Sequence, residues 1–414
     1  MTAPELRRTL GLSDAVAVGL SAMVGAGVFV AFGPAAAAAG SALLLGLAIA
    51  ALLAYCNASS SARLAALHPQ SGGTYVYGRE RLGPFWGHLA GWSFVVGKSA
   101  SCAAMALTVG HYAWPAHAHA VAAATVVVLT GLNVAGVERS ARVARVIVAV
   151  VLAVLIAVVI VALGSGVSDT SRVVDGAASG PFGVLQAAGL LFFAFAGYAR
   201  IATLGEEVRD PARTLPRAIF TALAIALAVY ALVGVALLAV LGPAGLAASA
   251  APLADAARAV GFPVAVVTVT ACVAAVGALL ALLLGVSRTT LAMARDGHLP
   301  RALAAVDERR RVPVHAEIAV GAVVTVVAAT VDLGAAIGFS SFAVLVYYAV
   351  ANASAWTLDA AVRSRIVPAA GFVGCVLVAL SLPAGSVAVG IVVLVAGALA
   401  YAVTRTNTPS GTAP

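Results

Sequence analysis

The most informative stretch of the sequence is GLSAMVGAGVFVAFGP, residues 19–34. It is apolar enough to lie in a bilayer, yet residues 25–27 read Gly-Ala-Gly in its middle, where glycine weakens a helix. A second stretch, GLLFFAFAGYAR (189–200), carries Ala-Gly at residues 196–197, at a similar depth. Close packing alone would explain either site, since small residues let membrane helices approach each other. Because the sites occur as a matched pair, they favour two helices that are broken in mid-membrane.

The composition is that of a membrane protein. Of 414 residues, 62% are hydrophobic and 10% are charged, against about 45–50% and 25% in soluble domains. At about 20 apolar residues per span, this supply suffices for on the order of 12 transmembrane helices. A soluble enzyme, a disordered chain and a single-span receptor are excluded. The net charge of +8 lies in short clusters between apolar segments, which indicates retained loops and not a nucleic-acid partner.

Apolar runs bounded by charges, proline or glycine predict an all-α polytopic membrane protein with 12 transmembrane helices. The runs lack the ten-residue alternation that is typical of a membrane β-barrel. The predicted helices span residues 14–38, 41–63, 85–110, 119–137, 145–164, 183–204, 217–241, 261–287, 314–331, 335–358, 366–382 and 386–403.

The arginines predict how the chain is oriented. With the N-terminus inside, 20 arginines fall in cytoplasmic segments, and only Arg172 and Arg258 fall on the opposite face. Positive residues are retained on the cytoplasmic side of membrane proteins. We therefore expect a multi-pass protein of the cytoplasmic membrane, with a cytoplasmic N-terminus (1–13) and a cytoplasmic tail (404–414).

The two interruptions divide the chain into two blocks. Residues 14–164 and 183–358 each hold five predicted helices, and each block begins with an interrupted helix. Interrupted helices at corresponding positions of two halves mark the midplane binding site of a transporter. The last two predicted helices, in residues 366–403, lie outside this pair of blocks.

Five strings in order carry a resemblance to a known family, over roughly residues 9–360. They are LGLSDAVAVGLSAMVGAGVF (10–29), HPQSGGTYVYGRERLGPFWGHLAGW (68–92), FFAFAGYARIATLGEEVRDPARTLPRAI (192–219), SRTTLAMARDGHLPRALAAV (287–306) and SSFAVLVYYAVANASAWTL (340–358). In these strings the chain resembles the amino acid–polyamine–organocation transporter superfamily, and the last two look most like its bacterial and cationic amino acid transporter branches. The resemblance implies the leucine-transporter-like fold: two inverted five-helix repeats, two peripheral helices, and first and sixth helices unwound at mid-membrane. It also implies a permease and not an enzyme.

The backbone of the interrupted helices is suited to an amino acid. Where the first helix unwinds, the N–H groups of Gly25, Ala26 and Gly27 lose their helical partners and can bind a carboxylate. Carbonyl groups around Val24, Phe193 and Ala196, beside Gly197, can accept hydrogen bonds from an ammonium group. Exposed backbone is tolerated in a membrane only where it lines a cavity, so these groups predict a substrate site. The resemblance further implies an aromatic gate at Phe193, which Tyr198 flanks across the interruption; ordinary packing is the alternative for both rings.

The chain has one lysine, Lys98, and it lies in the third predicted helix. It is about 18 Å from either end of that helix, near the bilayer centre. An ionisable residue at this depth is costly and is by default a functional hypothesis, although a purely structural lysine is the alternative. The resemblance places Lys98 and Cys102 on the side of the third helix that faces the substrate, and Leu282 at a pocket position of the eighth helix. Gly97 is a further predicted residue of this pocket.

Lys98 is the candidate for proton coupling. Several proton-coupled relatives carry a lysine in the fifth helix, where this chain has Val151, and no carboxylate is expected in mid-membrane to replace it. Burial disfavours the charged form of an amine, so Lys98 could take over the loading and release of a proton.

The predicted substrate is an L-amino acid, and a neutral one is favoured. The expected site has apolar walls, one cation and no acid, so a cationic substrate would be repelled if Lys98 is charged, whereas an acidic one could pair with it. An exchanger of cationic amino acids or polyamines remains the alternative. A channel would need a continuous polar lining, and these helices offer few polar residues. The seven histidines lack the spacing of a metal site. We expect no metal and no cofactor; the partners are the substrate, a proton and membrane lipid, in a monomer or homodimer.

Overall fold

The computed structural model describes residues 10–68, 72–136, 141–174, 180–198, 201, 208–307, 312–358 and 361–406. In this part of the chain the regular structure is helical, apart from an isolated bridge between Leu10 and Val208. The α-helices are α1 Leu12–Met23, α2 Gly27–Val30, α3 Phe32–Ala39, α4 Leu43–Leu67, α5 Thr74–Leu82, α6 Pro84–Ala113, α7 Ala118–Val134, α8 Ala141–Gly164, α9 Gly180–Phe195, α10 Pro211–Ala248, α11 Pro252–Ala259, α12 Val264–Arg295, α13 Val314–Thr330, α14 Leu333–Trp356, α15 Val362–Ser381 and α16 Ala384–Thr406.

The predicted polytopic helical protein is confirmed. Eleven helical stretches of the described chain are long and apolar enough to cross a membrane, and α13, with 17 residues, is a shorter apolar helix. These twelve stretches follow the twelve predicted helices in order, although the second stretch, Phe32–Leu67, also takes in α3, which the prediction placed in the first helix. The first predicted helix comprises α1 to α3, the sixth comprises α9 with a short 3-10 turn, and the seventh to twelfth are α10, α12, α13, α14, α15 and α16.

Both predicted interruptions are present. The α1 helix ends at Met23, residues 24–26 are bent, and α2 begins at Gly27. In the sixth predicted helix, α9 ends at Phe195 and the chain tightens into a 3-10 turn at Ala196–Tyr198. The predicted end of this helix, up to residue 204, lies largely outside the described residues.

The ends of several helices differ from the prediction. The α12 helix continues to Arg295, two turns past the predicted end at residue 287. The charged residues there do not end the helix, because the helix propensity of arginine is similar to that of leucine and methionine. It ends in a glycine cap: Gly297 has φ 75°, and the His298 amide donates to the Met293 carbonyl at 2.8 Å. The α10 helix is longer than predicted and bends at Gly242, where φ is 67°.

The helices pack in a pattern that repeats when the two blocks are exchanged. The second predicted helix, α4, packs on the sixth, α9. The corresponding pair with the blocks exchanged is the seventh helix, α10, and the first, α1, and these two pack on each other as well. Likewise α6 packs on α13 as α12 packs on α7, and α8 packs on α1 as α14 packs on α9. The last two helices, α15 and α16, pack on α14 and carry many exposed aliphatic side chains, as expected of helices at a bundle's edge.

Candidate functional site

The two interruptions lie against each other. A side chain added at Gly27 would meet the Cα of Ala194 at 2.6 Å, so the start of α2 touches the backbone of α9. A side chain added at Gly197 would meet the backbone of Ala22 and Met23 in the same way. Glycine is required at both positions because only a hydrogen atom fits between the two chains. The structure therefore brings the two predicted halves of the site together.

The backbone of the first interruption has the predicted free donors. The Val24 amide still donates to Leu20 at 2.7 Å, and the Phe29 amide donates to Ala26 at 3.0 Å. Between them, the amides of Gly25 and Ala26 make no backbone hydrogen bond within the described residues. Ala26 is buried, so its polar backbone is shielded from water. That these amides bind an anionic group of a substrate stays a prediction.

Lys98 reaches the second interruption. Its side chain is 6% exposed, and its Nζ atom donates to the carbonyl oxygen of Ala196 at 3.3 Å. No described carboxylate lies within ion-pair distance of this amine. One of the carbonyl groups predicted to bind a substrate ammonium is thus occupied by a side-chain amine of the protein itself.

The other predicted residues of the third and eighth helices surround this contact unequally. Cys102 is fully buried one helical turn beyond Lys98. Gly97 lies against α14, where an added side chain would meet Ala343 at 2.7 Å. Leu282 is half-buried and packs against the main core of the bundle. That Gly97, Cys102 and Leu282 contact substrate stays a prediction.

The aromatic residues around the second interruption are buried. Phe193 is 8% exposed, and Tyr198 stacks on Tyr348 with ring centroids 5.4 Å apart. The hydroxyl groups of Tyr198 and Tyr348 have no hydrogen-bond partner among the described residues. Since Val24, Ala26 and Ala196 are buried as well, the site is closed to solvent, and the gating role of Phe193 and Tyr198 stays a prediction.

Tyr230 is a site residue that the sequence analysis did not identify. Its hydroxyl, on α10, lies 2.7 Å from the Met23 carbonyl and 3.1 Å from the Ala194 carbonyl. It therefore reaches the last carbonyl of α1 and a carbonyl of α9, at both interruptions. The hydroxyl has a single hydrogen, so it can donate to only one of them at a time. The available signal was a tyrosine in the middle of an otherwise aliphatic helix.

Glu317 also escaped the sequence analysis. The predicted segment places it next to a helix end, yet it is 1% exposed in the structure. The first turn of α13, which holds Glu317, packs beside α12, and α12 continues past its predicted end. The expectation that no carboxylate lies in mid-membrane stays a prediction, since Glu317 is close to a helix end.

A polar cluster closes the end of the bundle at which α12 ends, called here the arginine-rich end. The Asp296 carboxylate accepts from the Tyr75 hydroxyl at 2.6 Å and from the Arg79 guanidinium at 2.8 Å. The Tyr75 hydroxyl also lies 2.9 Å from Nδ1 of His298, and the His298 ring contacts the buried ring of His88. Burial and the nearby His88 lower the pKa of His298, against the opposing effect of Asp296. No group of three or more potential metal ligands occurs in the described residues.

Comparison with known proteins places the chain among transporters. Residues 10–411 match the family model described as "Amino acid permease". An uncharacterized transporter of Mycobacterium tuberculosis (strain ATCC 25618 / H37Rv) is 66% identical over 405 residues, which cover 97% of this chain and 92% of the relative. A methylthioribose transporter of Bacillus subtilis is 29% identical, over 80% of this chain and 76% of the length of that transporter. The branched-chain amino acid permease BcaP of the same organism is 26% identical, over 75% of this chain and 72% of the length of that permease.

Proposed function

Because the chain belongs to the amino acid permease family, we propose that it moves a neutral L-amino acid across the cytoplasmic membrane by alternating access. The arginine-rich end, in this proposal, faces the cytoplasm, in keeping with the retention of positive residues on that side. The substrate binds between the two interruptions, and its movement is coupled to that of a proton.

One observation carries the proposal: the amides of Gly25 and Ala26 make no backbone hydrogen bond among the described residues, while the Ala196 carbonyl, in the second interruption, accepts from a side-chain amine. A zwitterion matches these two poles. Its carboxylate takes the amides at the start of α2, and its ammonium takes carbonyl oxygens of the second interruption, where the Ala196 carbonyl already binds an amine.

The charge of the site supports a neutral side chain. Lys98 is the cation of this region, and no described carboxylate balances it within ion-pair distance. A second positive charge on the substrate would be repelled at close range, and burial strengthens that repulsion. One relative is named as a permease of branched-chain amino acids, which have neutral side chains.

Lys98 supports coupling to a proton. The amine is held on a carbonyl of the interruption, and a substrate ammonium would compete for that acceptor. Once displaced, a buried ammonium loses its hydrogen bond and the balance moves towards the neutral amine, which releases a proton. Substrate binding and proton release are thereby linked at one carbonyl group.

The test is uptake into proteoliposomes that contain the purified protein, with and without an imposed pH gradient. Radiolabelled leucine is expected to accumulate under the gradient, with unlabelled valine and isoleucine competing and arginine competing weakly. Methylthioribose belongs in the competitor panel because one relative carries that name. Preferential competition by arginine would favour the cationic exchanger instead. Competition by methylthioribose alone would replace the amino acid as substrate.

A further inference from the structure

The buried carboxyl group of Glu317 lies at the meeting point of four helices. It sits in the first turn of α13, which packs on α6, α7 and α12. Neither the interruptions nor Lys98 hydrogen-bond to it, so the site described above does not account for it. A buried acidic side chain in a membrane protein is costly unless a function requires it.

The neighbours of Glu317 fix one of its oxygens and leave the other free. The Asn133 amide of α7 donates to Oε1 at 2.6 Å, and the same amide nitrogen is 3.3 Å from the Leu280 carbonyl. Oε2 is buried and has no hydrogen-bond partner in the described chain. The Ser287 side chain of α12 approaches the carboxyl group, but its hydroxyl donates to the Leu283 carbonyl at 2.9 Å.

These bonds suit a protonated acid better than a carboxylate. An ionised carboxylate only accepts hydrogen bonds, and here one of its two oxygens would be buried without a donor. A protonated carboxyl group accepts from Asn133 on Oε1 and carries a hydrogen on Oε2, so no charge is left buried beside an oxygen without a donor.

The charged and titratable groups around Glu317 are few. From α12, the positive charge of Arg288 acts on the carboxyl group, although Arg288 is itself exposed. From α6, the buried Cys102 thiol lies in the neighbourhood of both Glu317 and Lys98. On α7 the neutral Asn133 is the contact, since His119 lies at the far end beside Ala328. His315, in the same turn as Glu317, bonds to Ala302 of the 3-10 helix Arg301–Ala304.

We propose that Glu317 is a proton-binding site of the transport cycle, protonated in the closed arrangement described and deprotonated when α12 and α13 separate. On separation, water reaches Oε2, the O–H bond breaks, the proton passes to that water, and the charge of Arg288 stabilises the carboxylate left behind. Ser287 is about 12 Å from the end of α12, so the released proton leaves towards the arginine-rich end. The inference rests on the proposed function: Lys98 links the proton to the substrate, and Glu317 exchanges it with the solution.

The first experiment detects the proton directly. Infrared spectra of the purified wild-type protein, with and without ¹³C-labelled glutamate, are recorded in H₂O and D₂O at neutral pH. A C=O stretching band of a protonated carboxyl group, shifted by the label and by D₂O, is expected in the wild type. It is expected to be absent in Glu317→Gln and present in Asp332→Asn, a control that makes the same change at an exposed carboxyl group. Absence of the band in the wild type overturns the proposal.

The second experiment measures the consequence for transport. Proteoliposomes that contain a pH-sensitive dye report proton movement on addition of leucine, alongside labelled leucine uptake and counterflow. Glu317→Gln, an isosteric mimic of the protonated acid, is expected to retain counterflow but to lose proton movement and accumulation, whereas Asp332→Asn behaves as the wild type. Accumulation and proton movement at the wild-type level in Glu317→Gln overturn the proposal.

The two experiments separate this inference from the proposed function. A wild type that transports no amino acid removes the proposed function, yet the infrared band still decides whether Glu317 holds a proton. If Glu317→Gln does not fold, Asn133→Leu serves instead. It retains the carboxyl group and is expected to shift the band, since the donor to Oε1 is lost. An unchanged band in Asn133→Leu contradicts the geometry on which the inference is built.

Discussion

Two single side chains, Lys98 and Tyr230, hold the interrupted helices in the arrangement described. Each donates to a carbonyl group at or beside an interruption, and each lies in a helix that is otherwise largely apolar. A carbonyl buried in a membrane protein without a donor costs free energy. The two side chains therefore lower the cost of keeping α1 and α9 broken while no substrate is bound.

For Lys98, the prediction concerns coupling. Lys98→Met keeps similar bulk but removes the titrating amine, so accumulation driven by a pH gradient is expected to be lost while counterflow of a neutral amino acid survives. Lys98→Arg is expected to fail in accumulation as well, because a guanidinium group does not deprotonate in proteins. Uptake into proteoliposomes with and without the gradient checks both variants. Undiminished accumulation in Lys98→Met would assign this lysine a structural role.

For Tyr230, the prediction concerns stability and transport together. Tyr230→Phe leaves two buried carbonyl groups without their shared donor and is expected to cost about 1–3 kcal/mol of stability, with a loss of transport. The matched control is Tyr112→Phe, which removes a hydroxyl that donates at 2.8 Å to Phe29, beyond the interruption. The control is expected to lose stability but keep transport. Thermal unfolding and uptake, measured on both variants, distinguish a hinge role from packing; equal transport in the two variants would contradict the hinge role.

At the level of helices, close approach is the property that the interruptions depend on. Gly27→Ala puts a methyl group 2.6 Å from the Cα of Ala194, and backbone atoms cannot move aside as a flexible side chain can. We expect this variant to insert in the membrane and to lose transport. Gly131→Ala is the control, because Gly131 lies in an intact helix with open space around it. Membrane content and uptake of both variants are the measurements, and normal uptake in Gly27→Ala would show that α2 and α9 do not need this contact.

The cluster that joins α5 to the end of α12 predicts a dependence on pH. Because the pKa of His298 is lowered in the folded protein, the unfolded chain binds more protons below about pH 6.5, and stability falls as the pH falls through that value. His298→Gln is expected to weaken this dependence of stability on pH. The control is His117→Gln, at an exposed position of the opposite end of the bundle, and it is expected to leave the dependence unchanged. Thermal unfolding between pH 8 and pH 5 measures the slope. An identical slope in wild type and His298→Gln would show that His298 does not cause the pH dependence of stability.

For the molecule as a whole, orientation is the prediction that most needs measurement. His117→Cys and Arg301→Cys place a thiol at exposed positions of opposite ends, while the native cysteines lie in apolar helices. A membrane-impermeant maleimide is expected to label residue 117 in intact cells, and residue 301 only after the cells are opened. Labelling in the reverse order would invert the proposed topology.

The sequence was informative about the helices and their interruptions, and less informative about which side chains contact each other between helices. Hydrophobic length and glycine placement are local properties, so the twelve apolar segments and both interruptions could be predicted from them. Partners across the bundle could not, since they depend on how helices from distant parts of the chain pack. Tyr230 on Met23, Lys98 on Ala196 and Glu317 on Asn133 are all of this kind. The two inverted repeats stay a prediction, which the exchange pattern of helix contacts supports.

The amine that rests on Ala196 has a kinetic consequence. A carrier that works by net uptake must return empty, and that return is slow when an empty site leaves polar groups unsatisfied; such a carrier becomes an obligatory exchanger. Here Lys98 fills an acceptor that the departing substrate vacates, so this carbonyl keeps a hydrogen-bond donor in the unloaded protein. We therefore expect the return step to be fast, and amino acid to enter liposomes that contain none as rapidly as liposomes that are preloaded.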